Sequence, residues 1–189
     1  PNSKIIIRNI CVNKLRIGLI ETLIEMGGKI TVFNKRIVCG EEIADIEAVS
    51  SNLKGVNVPE KRSPTMIDEY PILSIAACFA EGETVMNGIK ELRNKETDRI
   101  KETVNNLKKL GFQVKSTENK MIIHGMKRRF IPGSIEIDSK LDHRIAMSFL
   151  CLGLLSKEPI IVKNVETINS SFPNFYKSMK NIGAEFDYL

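Results

Sequence analysis

Three stretches of this 189-residue chain repeat one plan: a β-rich run ending in Asn, an amphipathic helix, then Gly and another strand. The first runs from Ile5-Ile6-Ile7-Arg8-Asn9 through Ile20, Leu23 and Ile24 to Gly27-Gly28-Lys29-Ile30. The second runs from Thr84-Val85-Met86-Asn87 through Ile100, Val104, Leu107 and Leu110 to Gly111-Phe112-Gln113-Val114. The third runs from Ile160-Ile161-Val162-Lys163-Asn164 through Phe175, Met179 and Ile182 to Gly183-Ala184-Glu185-Phe186. Glycine at each helix end suits a left-handed cap, where a side chain would clash.

Two further helices lie between these units. One is expected to begin near Asp68 and run through Ile72, Leu73, Ala76 and Phe79. The other is expected to begin near Asp142 and run through Ile145, Ala146, Phe149 and Leu152. Both are apolar nearly all round, which predicts burial in a layered α/β domain. Aspartate is a favoured N-cap, so simple capping accounts for both acids.

The repeats differ in length. From Asn to Gly they span 18, 24 and 19 residues, and the extra residues of the second fall around Glu91-Leu92-Arg93-Asn94-Lys95-Glu96-Thr97-Asp98-Arg99. A lengthened strand-to-helix loop is a common place for a site, because the scaffold fixes it while helix-start N–H groups stay free. Arg99 follows Glu96 by three residues and shares a helix face with it. The same spacing is that of a surface ion pair. In Leu141-Asp142-His143-Arg144, an arginine in the first helical turn opposes the macrodipole unless an anion is present. That favours carboxylate or phosphate binding by the guanidinium fork, while His143 is equally a histidine satisfied at a helix start. Asp68, in Met66-Ile67-Asp68-Glu69-Tyr70-Pro71, occupies the matching place in the preceding helix.

A net charge of +5 suits nucleic acid, a membrane surface or a small anionic substrate without choosing among them. The one tight basic cluster, Lys127-Arg128-Arg129, lacks interleaved aromatics and reads as a solvated loop. No run of 18 apolar residues and no signal-peptide pattern occurs, so the chain is read as soluble and cytoplasmic. Cys11, Cys39, Cys78 and Cys151 stand singly among apolar residues, which predicts buried, reduced thiols rather than a metal or redox motif.

Together, Ser63-Pro64-Thr65-Met66-Ile67-Asp68-Glu69-Tyr70-Pro71, the block Glu91 to Arg99, and Leu141-Asp142-His143-Arg144-Ile145-Ala146-Met147 resemble, in order, the signature blocks of the EPSP synthase (3-phosphoshikimate 1-carboxyvinyltransferase) family. Ser51 to Val56 and Ser171-Phe172-Pro173 extend the resemblance over essentially the whole chain. It implies an EPSP-synthase-like α/β domain of three repeated units, roughly 1–63, 64–138 and 139–189, with buried parallel helices and mixed sheets. It further implies that 1–189 is a single C-terminal-type domain and that the family's other domain lies outside it.

The implied reaction moves the enolpyruvyl group of phosphoenolpyruvate to the 5-hydroxyl of shikimate 3-phosphate, with no metal or organic cofactor. By resemblance, Asp68 takes the hydroxyl proton and contacts the shikimate ring. Glu96 exchanges a proton with the methylene carbon, and Lys95 sits between the two substrates. Arg99 and Arg144 grip phosphoenolpyruvate. Some relatives carry a lysine before Thr-Phe-Pro; here the stretch is Asn169-Ser170-Ser171-Phe172-Pro173, without that cation. The Lys-Ser segment that completes the family site does not occur before Ile5. The chain by itself is therefore expected to turn over little substrate, and a separate N-terminal half is an implied partner. A folded non-catalytic remnant and a basic nucleic-acid module are the alternatives.

Overall fold

The computed structural model describes residues 2–126 and 130–187, so the Lys127-Arg128-Arg129 cluster lies outside the described residues. The described residues form three sheets with helices packed against them. The first sheet contains β1 (Lys4–Cys11), β2 (Lys29–Val38) and β3 (Glu41–Val49) in the order β1-β3-β2, antiparallel throughout. Helix α1 (Gly18–Glu25) connects β1 to β2. Its small core is centred on Val12, Ala44 and Ile46, with Ile20, Ile30 and Val32 packed around them. Most of β1 remains exposed, including Ile5, Ile6 and Ile7.

β1 does not end at Asn9. The residue takes a φ of 59° within a bulge and the strand continues to Cys11. A second bulge on β2 holds Asn34 at a φ of 51°. Asparagine tolerates this left-handed region better than most residues. Asp45 of β3 lies under both bulges, accepting from the Asn9 backbone N–H at 3.0 Å and from Asn34 Nδ2 at 3.1 Å.

The second sheet has the order β4-β5-β7-β6, from β4 (Asn57–Val58), β5 (Glu81–Asn87), β6 (Gln113–Ser116) and β7 (Lys120–Met126). β4 and β5 are parallel, so the chain must cross over between them, and α2 (Tyr70–Phe79) makes that crossover. The other pairs are antiparallel. The third sheet pairs β8 (Glu136–Asp138) with β9 (Ile161–Lys163) in parallel, with α4 (His143–Gly153) as the crossover. α3 (Arg99–Lys109) lies between β5 and β6, and the short α5 (Ile168–Ser171) and α6 (Phe175–Asn181) follow β9. The α/β class and mixed sheets agree with the sequence reading.

One large core fills the space between the second sheet, α2, α3 and α4. It includes Leu73 and Ala77 of α2, Ile100 and Leu107 of α3, Met121 and Ile123 of β7, and Ile145 and Phe149 of α4. A satellite of Ala146, Ile168 and Phe175 seats α5 and α6. The glycine after each repeat helix has the expected positive φ: 91° at Gly27, 82° at Gly111 and 98° at Gly183. No described helix is long and apolar enough to cross a membrane.

Three expectations are corrected. α2 begins at Tyr70, not Asp68, because Ile67–Glu69 forms a separate 3-10 turn and Pro71 suits the new helix start. Asp68 is therefore not its cap. Residues 184–187, after Gly183, form no strand. Cys78 is buried and Cys151 half-buried, as expected, but Cys11 and Cys39 are exposed, on β1 and at the β2–β3 turn, and all four are free.

Candidate active site

The lengthened loop folds as a 3-10 turn, Lys90–Asn94, followed by an extended step into α3. It is fastened to the β6–β7 turn. Lys90 N–H donates to Asn119 Oδ1 at 2.9 Å, and Arg93 donates to the carbonyls of Glu118 at 3.0 Å and Thr117 at 2.7 Å. The third arm of Arg93 meets Asp98 at 2.6 Å, and Asp98 also caps α3 through the Lys101 N–H at 2.9 Å. These bonds fix the segment that carries Lys95, Glu96 and Arg99.

Arg99 is not half of a surface pair. Its side chain is 2% exposed and every arm of the guanidinium is occupied. Nε donates to Asp142 Oδ2 at 2.9 Å, Nη1 to Asp68 Oδ1 at 3.0 Å, and Nη2 to Glu96 Oε2 at 2.6 Å. The three carboxylates come from the turn before α2, the loop before α3 and the residue before α4. One cation thus joins three segments that are remote in sequence.

Lys95 Nζ lies 2.6 Å from Glu91 Oε1 and 3.7 Å from Asp68 Oδ1. Arg144 Nη1 donates to Glu69 Oε1 at 3.2 Å and to the Asp68 carbonyl at 3.4 Å. His143 Nδ1 stands 3.8 Å from Glu96 Oε1, so the half-exposed Glu96 lies between Arg99 and His143. The structure thus brings Asp68, Lys95, Glu96 and Arg99 into one connected network and sets Arg144 against its edge. The anion anticipated beside Arg144 is supplied internally, by Glu69 and by Asp142, which caps the helix.

Burial pushes the Asp68 carboxyl upward, but Arg144, Lys95 and Arg99, with the Arg99 hydrogen bond, outweigh that and hold it below the usual aspartate range. Lys95 is raised, first by its hydrogen bond to Glu91 and then, against the opposing effect of burial, by the Asp68 and Glu91 charges. Three cations, Lys95, Arg99 and Arg144, are matched with five carboxylates, Asp68, Glu69, Glu91, Glu96 and Asp142. A group of this kind can move protons and pair with anions, and Lys95 and Arg144 must exchange a partner to do so.

Sequence reasoning missed the anchoring role of Arg93 and the second role of Asp142. Asp142 does cap α4, accepting from Arg144 N–H at 2.9 Å and Ile145 N–H at 3.3 Å. Its other oxygen takes Arg99 Nε and Thr97 Oγ1, the latter at 3.0 Å. No pattern in the sequence signals a partner 43 residues away. Among the described residues, no group of three or more His, Cys, Asp and Glu could hold a metal ion. Two surface depressions, one lined by Asn13, Lys14 and Glu41 and one by Gln113, His124 and Met126, include no site residue.

The family model for EPSP synthase (3-phosphoshikimate 1-carboxyvinyltransferase) matches residues 1–179. A 3-phosphoshikimate 1-carboxyvinyltransferase of Parvibaculum lavamentivorans is 46% identical over 98% of this chain and 41% of its own length. One from Rhizobium johnstonii is 46% identical over 100% of this chain and 42% of its own. A solved EPSP synthase from Acinetobacter baumannii superposes with a TM-score of 0.91 at 42% identity, over 95% of this chain and 42% of that one. The chain therefore spans about two fifths of the length of the relatives it matches.

Proposed function

Because this chain belongs to the EPSP synthase family, we propose that it supplies part of the site that transfers the enolpyruvyl group of phosphoenolpyruvate to the 5-hydroxyl of shikimate 3-phosphate. The observation that carries this reading is the convergence of Asp68 and Glu96 on one buried arginine, Arg99, with Lys95 beside Asp68 and Arg144 at the edge. The chain acts in this reading as a domain of three repeat units, roughly 1–63, 64–138 and 139–189. The remaining protein supplies the rest of the site.

In the first half of the reaction, Glu96 acts as the acid that gives a proton to the methylene carbon of phosphoenolpyruvate. The substrate oxygen bonds to the adjacent carbon while its proton passes to Asp68, giving a tetrahedral adduct. In the second half, the carbon–oxygen bond to phosphate breaks and Glu96 removes a proton from the new methyl group. Asp68 returns its proton to the departing phosphate, so the vinyl ether and hydrogen phosphate remain. Lys95, Arg99 and Arg144 offset the charge on carboxylate and phosphate, as such chemistry requires.

The internal ion pairs give this scheme an order of events. The partner of Lys95, Glu91, is exposed, and Arg144 is itself about a third exposed beside Glu69, so both cations can turn toward an arriving anion. Arg99 is too buried and too fully bonded to leave. As Arg144 and Lys95 turn away, Asp68 loses two of the charges that depress its pKa and becomes a stronger base. Substrate binding thereby prepares the acceptor for the hydroxyl proton.

With five carboxylates against three cations, this part of the site attracts a polyanion poorly. Positioning the two substrates contributes about 7–11 kcal/mol to such a reaction, and that needs both parts. The test is to mix the purified chain with a polypeptide carrying the remainder of a relative and to measure phosphate release from phosphoenolpyruvate and shikimate 3-phosphate. Release is expected in the mixture and near background for either piece alone. No gain on mixing two folded pieces that associate contradicts the proposal.

A further inference from the structure

Asp142 has no solvent exposure, and burying an ionised carboxylate is costly unless its lone pairs are filled. Four donors fill them. Oδ1 accepts the backbone N–H groups of Arg144 and Ile145, and Oδ2 accepts Thr97 Oγ1 and Arg99 Nε. Capping a helix needs only one acceptor oxygen, which serine, threonine or asparagine also provides. The second oxygen and its charge have another use.

That use follows from the shape of guanidinium. A bond at Nε fixes the plane of the group and the direction in which Nη1 and Nη2 diverge. Here they diverge onto Asp68 and Glu96, the two acids given proton-transfer roles above. We infer that Asp142 is a positioning residue: it orients Arg99, and through Arg99 it sets where the carboxylates of Asp68 and Glu96 stand. The assignment of proton transfer to those acids rests on the proposed function; the orientation of Arg99 by Asp142 does not.

An amide cannot replace this carboxylate. With its oxygen toward the backbone, an asparagine presents its NH₂ to Arg99 Nε–H, and with the amide turned over it presents NH₂ to two backbone N–H groups. Either way donor faces donor. Serine keeps the cap and leaves Arg99 Nε without its partner. These two substitutions separate a helix cap from a positioning role.

The experiment is ¹⁵N NMR of the arginine side chains in the chain itself. In the wild type, Arg99 should show a slowly exchanging Nε–H and resolved Nη protons, because three carboxylates hinder rotation. In Asp142→Asn and Asp142→Ser, Nε–H exchange should rise about tenfold or more, and the Nη signals should average. The Phe149 and Ile123 signals report whether the core is intact. Arg99 signals that stay unchanged in a folded Asp142→Ser variant make Asp142 a cap alone and overturn the inference. Averaged Nη protons in the wild type overturn it too, without any variant, so a substitution that unfolds the chain does not shield the idea. Titration with phosphoenolpyruvate is a separate arm. Failure to bind it counts against the proposed function and leaves the Arg99 readout standing.

Discussion

Among the described residues two aspartates are buried with arginines near them, and the contrast between their surroundings separates scaffold from site. Asp45 draws all its partners from its own sheet: the Asn9 backbone N–H, Asn34, and the more distant Arg8 and Arg36. It locks two bulges and nothing else. Asp142 reaches across the fold, tying the first turn of α4 to the loop before α3 and, through Arg99, to the turn before α2. A buried carboxylate is therefore no marker of function by itself. What distinguishes the candidate site is that its charges bind remote segments together across the large core.

The largest expected effect comes from removing the shared cation. Arg99→Met leaves the buried Asp142 without its charge partner and frees Asp68 and Glu96, which should cost about 3–5 kcal/mol in urea denaturation. The matching change in the first sheet, Arg36→Met, removes a half-exposed cation that stands 3.9 Å from Asp45 and should stay within about 1 kcal/mol. Comparable losses at the two positions would erase the contrast.

Packing should follow the same division. Leu107, wholly buried on α3, should cost about 2–5 kcal/mol as Leu107→Ala. Ile37, 74% exposed on β2, should change stability by no more than about 0.5 kcal/mol as Ile37→Ala. The comparison is sharpened if denaturant slopes stay constant, showing that both changes act on one cooperative unit.

Acid should weaken both regions to a smaller extent. The folded pKa of Asp68 is depressed, by its cations against the opposing effect of burial, and that of Asp45 first by the Asn9 N–H. A depressed carboxylate adds stability above its unfolded value, near 3.9, and loses it as pH falls through the folded value. Melting curves between pH 5 and pH 2 should therefore decline, and Asp68→Asn should flatten part of that decline. An unchanged acid limb in the variant would contradict the ionic role assigned to Asp68.

The mildest probe is thiol labelling. Cys11 and Cys39 of the first sheet should react rapidly with a disulfide reagent while the fold persists. Cys78 is buried with its thiol pushed up, and burial raises Cys151 to about 11, so both should stay slow until unfolding. Rapid reaction of Cys78 in the folded chain would show the core to be looser than described.

Much of the fold is legible in the sequence because it rests on local rules. The apolar helical periodicity places α3 in the large core, and positive-φ glycine marks the ends of α1, α3 and α6. Local signals fail where tertiary partners decide. Asp68 looks like a helix cap, yet Pro71 shifts the helix start onward and leaves its carboxylate for Arg99. Arg99 looks like a surface residue paired with Glu96. Its burial depends on Asp142, whose cap is readable from the sequence but whose second oxygen is committed to the end of the loop before α3. The cysteines of the first sheet read as buried because their neighbours are apolar, but much of that sheet is exposed.

The most direct measurement is a phosphoenolpyruvate titration of the isotopically labelled chain, following amide and side-chain resonances of both regions. The account predicts weak binding, with shifts at Lys95, Arg144 and Asp68, a smaller change at Arg99, and none at Arg8, Arg36 or Asp45. Shifts confined to the first sheet, or saturation without any change at Lys95 and Arg144, would contradict it.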